Sequence, residues 1–481
     1  MITVYPPAIH VVTGEVPPES TLCQALHAAN QLRRVLGIRP GQRVGLYGNN
    51  AVLFTMALLG CWQAGAVAVL CPTREPWKVL LPWLRGMGCV RLLYNTINMS
   101  DGPPKELVKA LHPRLHVTWF PLLSQGAENQ KPDQPLLPEQ RWKAPATILR
   151  TSGTTARPKS VVHTLAHHLH SAAAAVEHVR FGPGDRWMLS LPLYHVGGLA
   201  ILCRALVSGG SLALARPEEL RLSIPLLAHL RVTHLSLVPT QLLRLLQERE
   251  AVRVLRGMKA ILLGGGPLPQ DLLRQAAAHK LPIVTTYGCT EAASQVTAGA
   301  LPLPEAGPWT SGSVLPGRQL RVGADGEIAV RGKTLFCGYA LSRGKLDRAR
   351  GEDDWFVTGD LGQLDEQGNL HVVGRKDNRI VSGGENIQAE EVEAALRLHP
   401  GVHEAAVLPQ PSEEFGQRPV AFVQFVLGNV PPPVAALREH LAQHLARFKI
   451  PDAFLPWPSH VPSDGLKEAR RLLRHHLMEN R

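Results

Sequence analysis

No C-x-x-C pair occurs among the seven cysteines of this chain, Cys23, Cys61, Cys71, Cys89, Cys203, Cys289 and Cys337. An odd number of scattered cysteines, most of them in apolar runs, argues against a disulfide framework and a thiolate zinc site. It reads instead as reduced, buried thiols in a cytosol-like compartment. The opening residues, MITVYPPAIH, carry neither the basic nor the apolar region of a secretory signal. Aromatic residues make up only 5% of the chain, and no RNA- or DNA-binding motif accompanies the excess of 51 Lys+Arg over 39 Asp+Glu, so nucleic acid is not the expected partner. That excess is spread out and is densest at Arg470–Arg481. Anionic small-molecule substrates and general solubility account for it equally well. Internal repeats and long glycine or proline tracts are also missing.

One apolar run is long enough to cross a bilayer. Ala51–Cys71 is interrupted only by Thr55 and Gln63. Gly60 and Gly65 break it, however, and Ala66–Leu70 has β character, so it reads as a buried helix, a turn and a buried strand. No membrane span is expected.

The 481 residues exceed what one core holds, about 250–300, so at least two domains are expected. Apolar spacing predicts a helix over Thr21–Leu36, a strand over Gln42–Gly48, a helix over Asn50–Gln63 and a strand over Ala66–Leu70. This strand–helix–strand rhythm continues to Tyr94 and implies a parallel sheet with crossover helices. Residues Asn95–Lys143 read as an irregular, loop-rich insertion. From Gly312 the texture changes to short strands with hairpin signals at Ala324-Asp325-Gly326 and Glu366–Asn369. The fold class is therefore α/β: a large N-terminal domain of layered mixed or parallel sheets with helices and a short-strand β subdomain, residues 1–376, followed by a small α+β domain, residues 377–481.

The most informative stretch is Leu149–Lys159, LRTSGTTARPK. Small residues after a strand let backbone approach a polyphosphate, while hydroxyls and a lysine add donors and charge. A Walker A reading fails because Pro158, which has no N–H and cannot take positive φ, stands where the second glycine is needed. Downstream, two strands end in Gly264-Gly265-Gly266-Pro267 and in Tyr287-Gly288-Cys289-Thr290-Glu291, a ledge suited to a nucleotide. A helix over His163–Val179 carries His163, His167, His168, His170 and His178, read as a partly solvated face. His195 stands before Gly197-Gly198 at a corner that faces a pocket or a core. Arg204 lies in an otherwise apolar helix, where an anionic ligand or a structural carboxylate must pair it. Tail residue Lys467 reads, by position alone, as a surface lysine.

The order of TSGTTARPK, YGCTE, WFVTGD, GRKD with VSGGENI, and a C-terminal lysine motif resembles the acyl-adenylating superfamily of acyl-CoA synthetases, peptide-synthetase adenylation domains and luciferases. The resemblance spans about residues 149–470. It implies that ATP, Mg²⁺ and coenzyme A are used and that a carboxylic acid is activated as its adenylate. Carried onto this sequence, Thr151, Ser152, Gly153, Thr154, Thr155 and Lys159 hold phosphates. Thr290 bonds the α-phosphate and Glu291 holds the metal. Gly265, Gly266 and Tyr287 wall the adenine, and Asp360 takes the ribose with support from Arg375. Lys467 carries the adenylation step, Asp377 is the hinge of a mobile lid, and Gly383-Gly384 passes the thiol arm. Segments LSLPLYHVGGLA, ILLGGGPLP and TTYGCTEAASQV resemble most closely the branch of the superfamily acting on 2-succinylbenzoate in menaquinone and phylloquinone synthesis. That resemblance implies an acid site of His195, Gly197, Gly198, Arg204 and Ser294, with His195 and Thr290 as catalytic candidates beside Lys467 and the two glycines leaving space for the ring. Ligation of another acyl or aryl acid, or loading of a carrier protein, are the alternatives. A cytoplasmic monomer or homodimer is expected. Leu466, Ala156 and Ser160 depart from the motifs, each standing where glycine is common.

Overall fold

The computed structural model describes residues 2–11, 14–16, 18–48, 51–73, 75–95, 116–119, 136–151, 158–214, 224–266, 268–299, 309–341, 345–351, 353–426, 428, 430–462 and 466–479. Among these residues the larger part of the chain forms sheets of nine, eight and four strands, and a separate sheet lies beyond residue 378.

The eight-stranded sheet contains the predicted parallel unit. Strand Arg43–Gly48 lies between Val67–Leu70 and Cys89–Asn95, parallel to both. The region expected to be irregular contributes a further strand, His116–Trp119, which adds parallel to Cys89–Asn95. Its alternation is too short to stand out from the surrounding polar residues. Helix Ala51–Ala64 is buried over most of its length, which accounts for its bilayer-like composition. It packs closely on helix Pro18–Asn30: a Cβ on Gly60 would lie 2.6 Å from the Ala28 Cβ. No described helix is long and apolar enough to cross a membrane.

The nine-stranded sheet places His234–Leu237, Ala260–Leu263 and Ile283–Cys289 side by side and parallel. Strand Ile283–Cys289 runs further than expected, through Tyr287-Gly288-Cys289, because Ser294–Ala298 returns antiparallel beside it. The WFVTGD segment likewise enters a strand, Phe356–Leu364, central in the four-stranded sheet between Glu327–Gly332 and Leu370–Arg375.

His163 lies in strand Lys159–Thr164, and the helix starts only at Leu165, with the Thr164 hydroxyl accepting from the His167 N–H. The histidine face is divided: His163 and His168 are buried, while His167, His170 and His178 are partly exposed. Burial, followed by their mutual proximity, holds His163 well below its usual range, and burial with His167 beside it brings His168 to about 3. These imidazoles are neutral at pH 7. Nearby oxygens satisfy them: the Thr290 carbonyl lies 2.7 Å from His163 Nε2 and the Thr147 hydroxyl 2.7 Å from His168 Nε2. Among the described residues no group of three or more metal-ligating side chains is assembled.

The C-terminal part packs its own core around Ile380, Val392, Leu396, Val407 and Leu441. Helix Leu466–Glu479 is fastened to it by Arg470, which is buried and pairs with Glu390 at 3.1 Å and with both oxygens of Glu393. Removing one partner of a buried pair leaves an uncompensated charge. Arg470→Ala is therefore expected to destabilise this domain by about 3–5 kcal/mol, read as a shift in its denaturant midpoint. An unchanged midpoint would place the pair outside the stabilising core.

Candidate active site

The stems of the phosphate loop are held rigidly. Thr151 and Lys159 are paired across antiparallel strands, as are Arg150 and Ser160. Trp83 fastens the second pair: its indole N–H donates to Ser160 Oγ at 2.8 Å, and its ring lies 5.1 Å from the Arg150 guanidinium. Arg150 donates in turn to Glu75 at 2.9 Å. Ser160 thus supplies an acceptor that the common glycine lacks. Ser152, Gly153, Thr154 and Thr155 lie outside the described residues.

Lys159 and Glu291, 132 positions apart in sequence, meet through Tyr339. The lysine Nζ stands 4.7 Å over the tyrosine ring, and the tyrosine O–H donates to Glu291 Oε1 at 2.8 Å. Sequence reasoning missed Tyr339 because strand Gly338–Ala340 reaches Lys159–Thr164 only by a long-range antiparallel pairing. The turn bearing Glu291 is held further by His163 Nε2, which donates to the Thr290 carbonyl at 2.7 Å, and by the Phe336 N–H, which donates to the Glu291 carbonyl at 2.8 Å. It closes through Ala293 at φ 52° and Ser294 at φ 97°, two successive left-handed non-glycine residues. Such backbone is strained and persists only where its surroundings enforce it. A lone carboxylate such as Glu291 suits Mg²⁺ that arrives with substrate phosphates, since that ion takes one or two protein carboxylates rather than a full protein cage.

Beside this turn, Tyr287 donates to Asp360 Oδ2 at 2.7 Å, and Arg375 donates to Asp360 Oδ1 at 2.7 Å and to the Thr358 carbonyl at 3.0 Å. Burial, followed by the Asp360 charge, pushes the Tyr287 hydroxyl well above its ordinary range, so it remains a donor. Each Asp360 oxygen keeps a second lone pair for a vicinal diol. Gly265 and Gly266 are exposed at the end of Ala260–Leu263, Gly265 at φ +79°.

Helix Val196–Ser208 begins directly after His195, which is exposed, so it is not a core histidine. The glycines that follow serve the fold of this corner. A Cβ on Gly198 would collide with the Leu191 and Pro192 carbonyl oxygens, and one on Gly197 would lie 3.0 Å from Leu191 Cδ1. At Gly198 the Cβ position is filled by the chain itself, because the preceding turn folds back on the helix.

On the same helix Arg204 is buried, with its guanidinium 4.7 Å from the Trp187 ring centre. Nη2 donates to Gln295 Oε1 at 2.7 Å, and the buried Nε has no partner among the described residues. Burial, with Arg318 nearby, lowers its pKa to about 9. No structural carboxylate pairs with it among the described residues.

In the C-terminal part, Asp377 lies in a short turn between two neighbours tied in opposite directions. Lys376 Nζ bonds Asp325 at 2.9 Å and Glu327 at 2.7 Å, whereas Asn378 donates to Glu390 at 2.5 Å. Gly383 and Gly384, at φ +57° and +86°, form the exposed turn between two strands. The backbone of Lys467 is in the first turn of helix Leu466–Glu479 rather than in a loose tail; its side chain lies outside the described residues.

Comparison with known proteins matches residues 20–340 to the family described as AMP-binding enzyme, and residues 391–463 to the AMP-binding enzyme C-terminal domain. The 2-succinylbenzoate–CoA ligase of Salmonella typhimurium is 38% identical over 415 residues, covering 84% of this chain and 86% of the relative. That of Bacillus velezensis is 31% identical over 478 residues, covering 96% and 93%. Among solved structures, o-succinylbenzoate CoA synthetase from Bacillus subtilis in complex with the acyl-adenylate intermediate OSB-AMP superposes with a TM-score of 0.80 at 27% identity, covering 97% of this chain and 95% of that one. The same enzyme with ATP and magnesium ion gives 0.81 at 28% identity, covering 96% of each.

Proposed function

The chain belongs to the AMP-binding enzyme family, and from that premise we infer that it is an ATP-dependent, AMP-forming acid–CoA ligase whose acid is 2-succinylbenzoate, the ligation made in menaquinone synthesis. The observation that carries the acid assignment is Arg204, a buried cation whose described hydrogen-bond partner is a neutral amide. A buried charge needs a counter-charge, and an aromatic carboxylate supplies one with two acceptor oxygens.

A carboxylate is a poor acyl donor because its oxyanion leaves badly. The aliphatic carboxylate of the acid attacks the α-phosphorus of ATP, the bond to pyrophosphate breaks, and an acyl-adenylate forms. The coenzyme A thiol then attacks the acyl carbon and AMP leaves. We assign Thr151, the loop Ser152–Thr155 and Lys159 to the phosphates, and Asp360, oriented by Tyr287 and Arg375, to the ribose hydroxyls. Gly265 and Gly266 flank the adenine. Magnesium ion bound with ATP, held by Glu291, supplies charge neutralisation at the phosphates. Lys467 bridges carboxylate and α-phosphate in the first step. We place the boundary between residues 376 and 377, because Lys376 is tied to one side of Asp377 and Asn378 to the other, so rotation concentrates at Asp377. His195 lies at the mouth of the acid site, and Ser294 is offered to the acid by the strained turn. The enzyme works in the cytoplasm, where ATP and coenzyme A are supplied.

Pyrophosphate release measured across a panel of acids, with and without coenzyme A, tests this reading. Release is expected with 2-succinylbenzoate ahead of benzoate and fatty acids, and thioester only when coenzyme A is present. Preference for a monocarboxylate would overturn the acid assignment.

A further inference from the structure

The surroundings of Arg204 raise a question of charge. Gln295 Oε1 accepts from Arg204 Nη2 at 2.7 Å, and Gln295 Nε2 donates to Thr286 Oγ1 at 3.1 Å. The Thr286 hydroxyl spends its proton on the Thr297 carbonyl at 2.8 Å, so toward Gln295 it can only accept. The amide is therefore read in one sense, NH₂ toward Thr286 and oxygen toward the guanidinium, and a flipped amide would point donor at donor. Gln295 itself is 4% exposed, in strand Ser294–Ala298 directly after the strained turn. A three-residue relay thus fixes the direction of Arg204 with no charge of its own.

A glutamate at this position would have nearly the same shape and could accept from Arg204, although it would bond Thr286 only if that hydroxyl turned away from the Thr297 carbonyl. It would also discharge Arg204. Trp187 offers only a ring face, and of the titratable groups that bear on Arg204 among the described residues, burial keeps Cys203 and His234 neutral and Arg318 is itself a cation. With Gln295 neutral, the positive charge of Arg204 stays uncompensated by the described residues, and burial makes it costly to leave unpaired.

We propose that Gln295 sets the specificity of this enzyme for a dicarboxylic acid: its neutral amide positions Arg204 without neutralising it, so the counter-charge has to come from the second carboxylate of the substrate. The proposal rests on the functional reading above. Gln295 is a positioning residue that touches Arg204, and its effect is on the choice of acid rather than on the chemistry at phosphorus.

The test uses the full-length enzyme, 2-succinylbenzoate, and benzoylpropionate, which is the same acid without its ring carboxylate. Gln295→Glu is expected to lower kcat/KM for 2-succinylbenzoate by roughly tenfold or more, since it both satisfies Arg204 internally and repels the incoming carboxylate. Use of benzoylpropionate and the KM for ATP should hold near wild type, a split that a merely structural defect would not produce. Gln295→Met, neutral and unable to bond Arg204, should lose less on 2-succinylbenzoate than Gln295→Glu. The proposal is overturned if Gln295→Glu keeps the wild-type ratio between the two acids, or if Gln295→Met loses as much as Gln295→Glu. Should Gln295→Glu fail to fold, Gln295→Met against Arg204→Met decides: the first must retain a dicarboxylate preference that the second loses, and equal loss overturns the proposal. A wild type unable to use 2-succinylbenzoate sinks the functional reading and this inference with it. A wild type that uses it, beside a Gln295→Glu of unchanged selectivity, sinks this inference alone.

Discussion

Replacing Arg204 by leucine is expected to abolish most of the preference for 2-succinylbenzoate while sparing the use of a monocarboxylate analogue. The side chain is buried, and within the described structure only a neutral amide bonds it. Leucine fills part of the volume but leaves the second carboxylate of the substrate buried with no cation. Truncating one partner of a buried, hydrogen-bonded charge pair costs roughly 2–5 kcal/mol, or about thirty- to several-thousand-fold in kcat/KM. A monocarboxylate never makes that pair, so it should lose only a packing contribution. The free enzyme should if anything be stabilised, because a lone buried cation is removed, and a thermal scan separates this from a folding defect. Equal losses on mono- and dicarboxylic acids would sink the assignment of Arg204 to the acid, while the general acid–CoA ligase reading would survive.

The second large effect is expected at Lys467. Lys467→Ala should lower the rate of acyl-adenylate formation by roughly 10²–10³, the usual cost of removing one donor aimed at charge developing in the transition state. Conversion of supplied acyl-adenylate to thioester should proceed near the wild-type rate, because the proposed role of the lysine is confined to the first step. The reciprocal variant is Gly384→Trp. A Cβ there meets nothing within 4 Å, so the backbone turn rather than crowding is what the fold needs from it. At φ +86° a tryptophan adds strain as well as bulk, so its fold must be checked by the adenylation half-reaction, which should persist while thioester formation falls. Both half-reactions falling together in both variants would exclude a division of labour between the Lys467 helix and the Gly383-Gly384 turn. Arg470, three residues beyond Lys467, holds that helix to Glu390 and Glu393, so the departure at Leu466 stands next to a firmly anchored segment.

Local pattern was sufficient wherever the physics is local. Apolar periodicity predicted the buried helix over Ala51–Ala64 and the strands on either side, because burial on both faces requires an unbroken apolar run. The order of the motifs was enough to establish the acyl-adenylating superfamily, and with it the class of reaction. Periodicity misled at His163, whose spacing to His167 suits one helix face; the strand carrying it is held by its pairing with Pro145–Thr151, a tertiary fact.

What only the tertiary structure decided is which side chains share an environment. Tyr339 joins Lys159 to Glu291, Tyr287 and Arg375 converge on Asp360, Trp83 grips Ser160, and Gln295 turns Arg204 while leaving its charge intact. Apart from Asp360 and Arg375, which face each other across one pair of antiparallel strands, none of these pairs is close enough in sequence for spacing to reveal it. They arise where strands and helices from distant segments pack together, and that packing is set by the summed burial of whole elements rather than by the residues that meet there. The sequence by itself determined the reaction class through residues whose backbone context is local. The counter-charge left open at Arg204, to which we assign the choice of acid, exists only because folding buries that cation beside an amide and away from any described carboxylate.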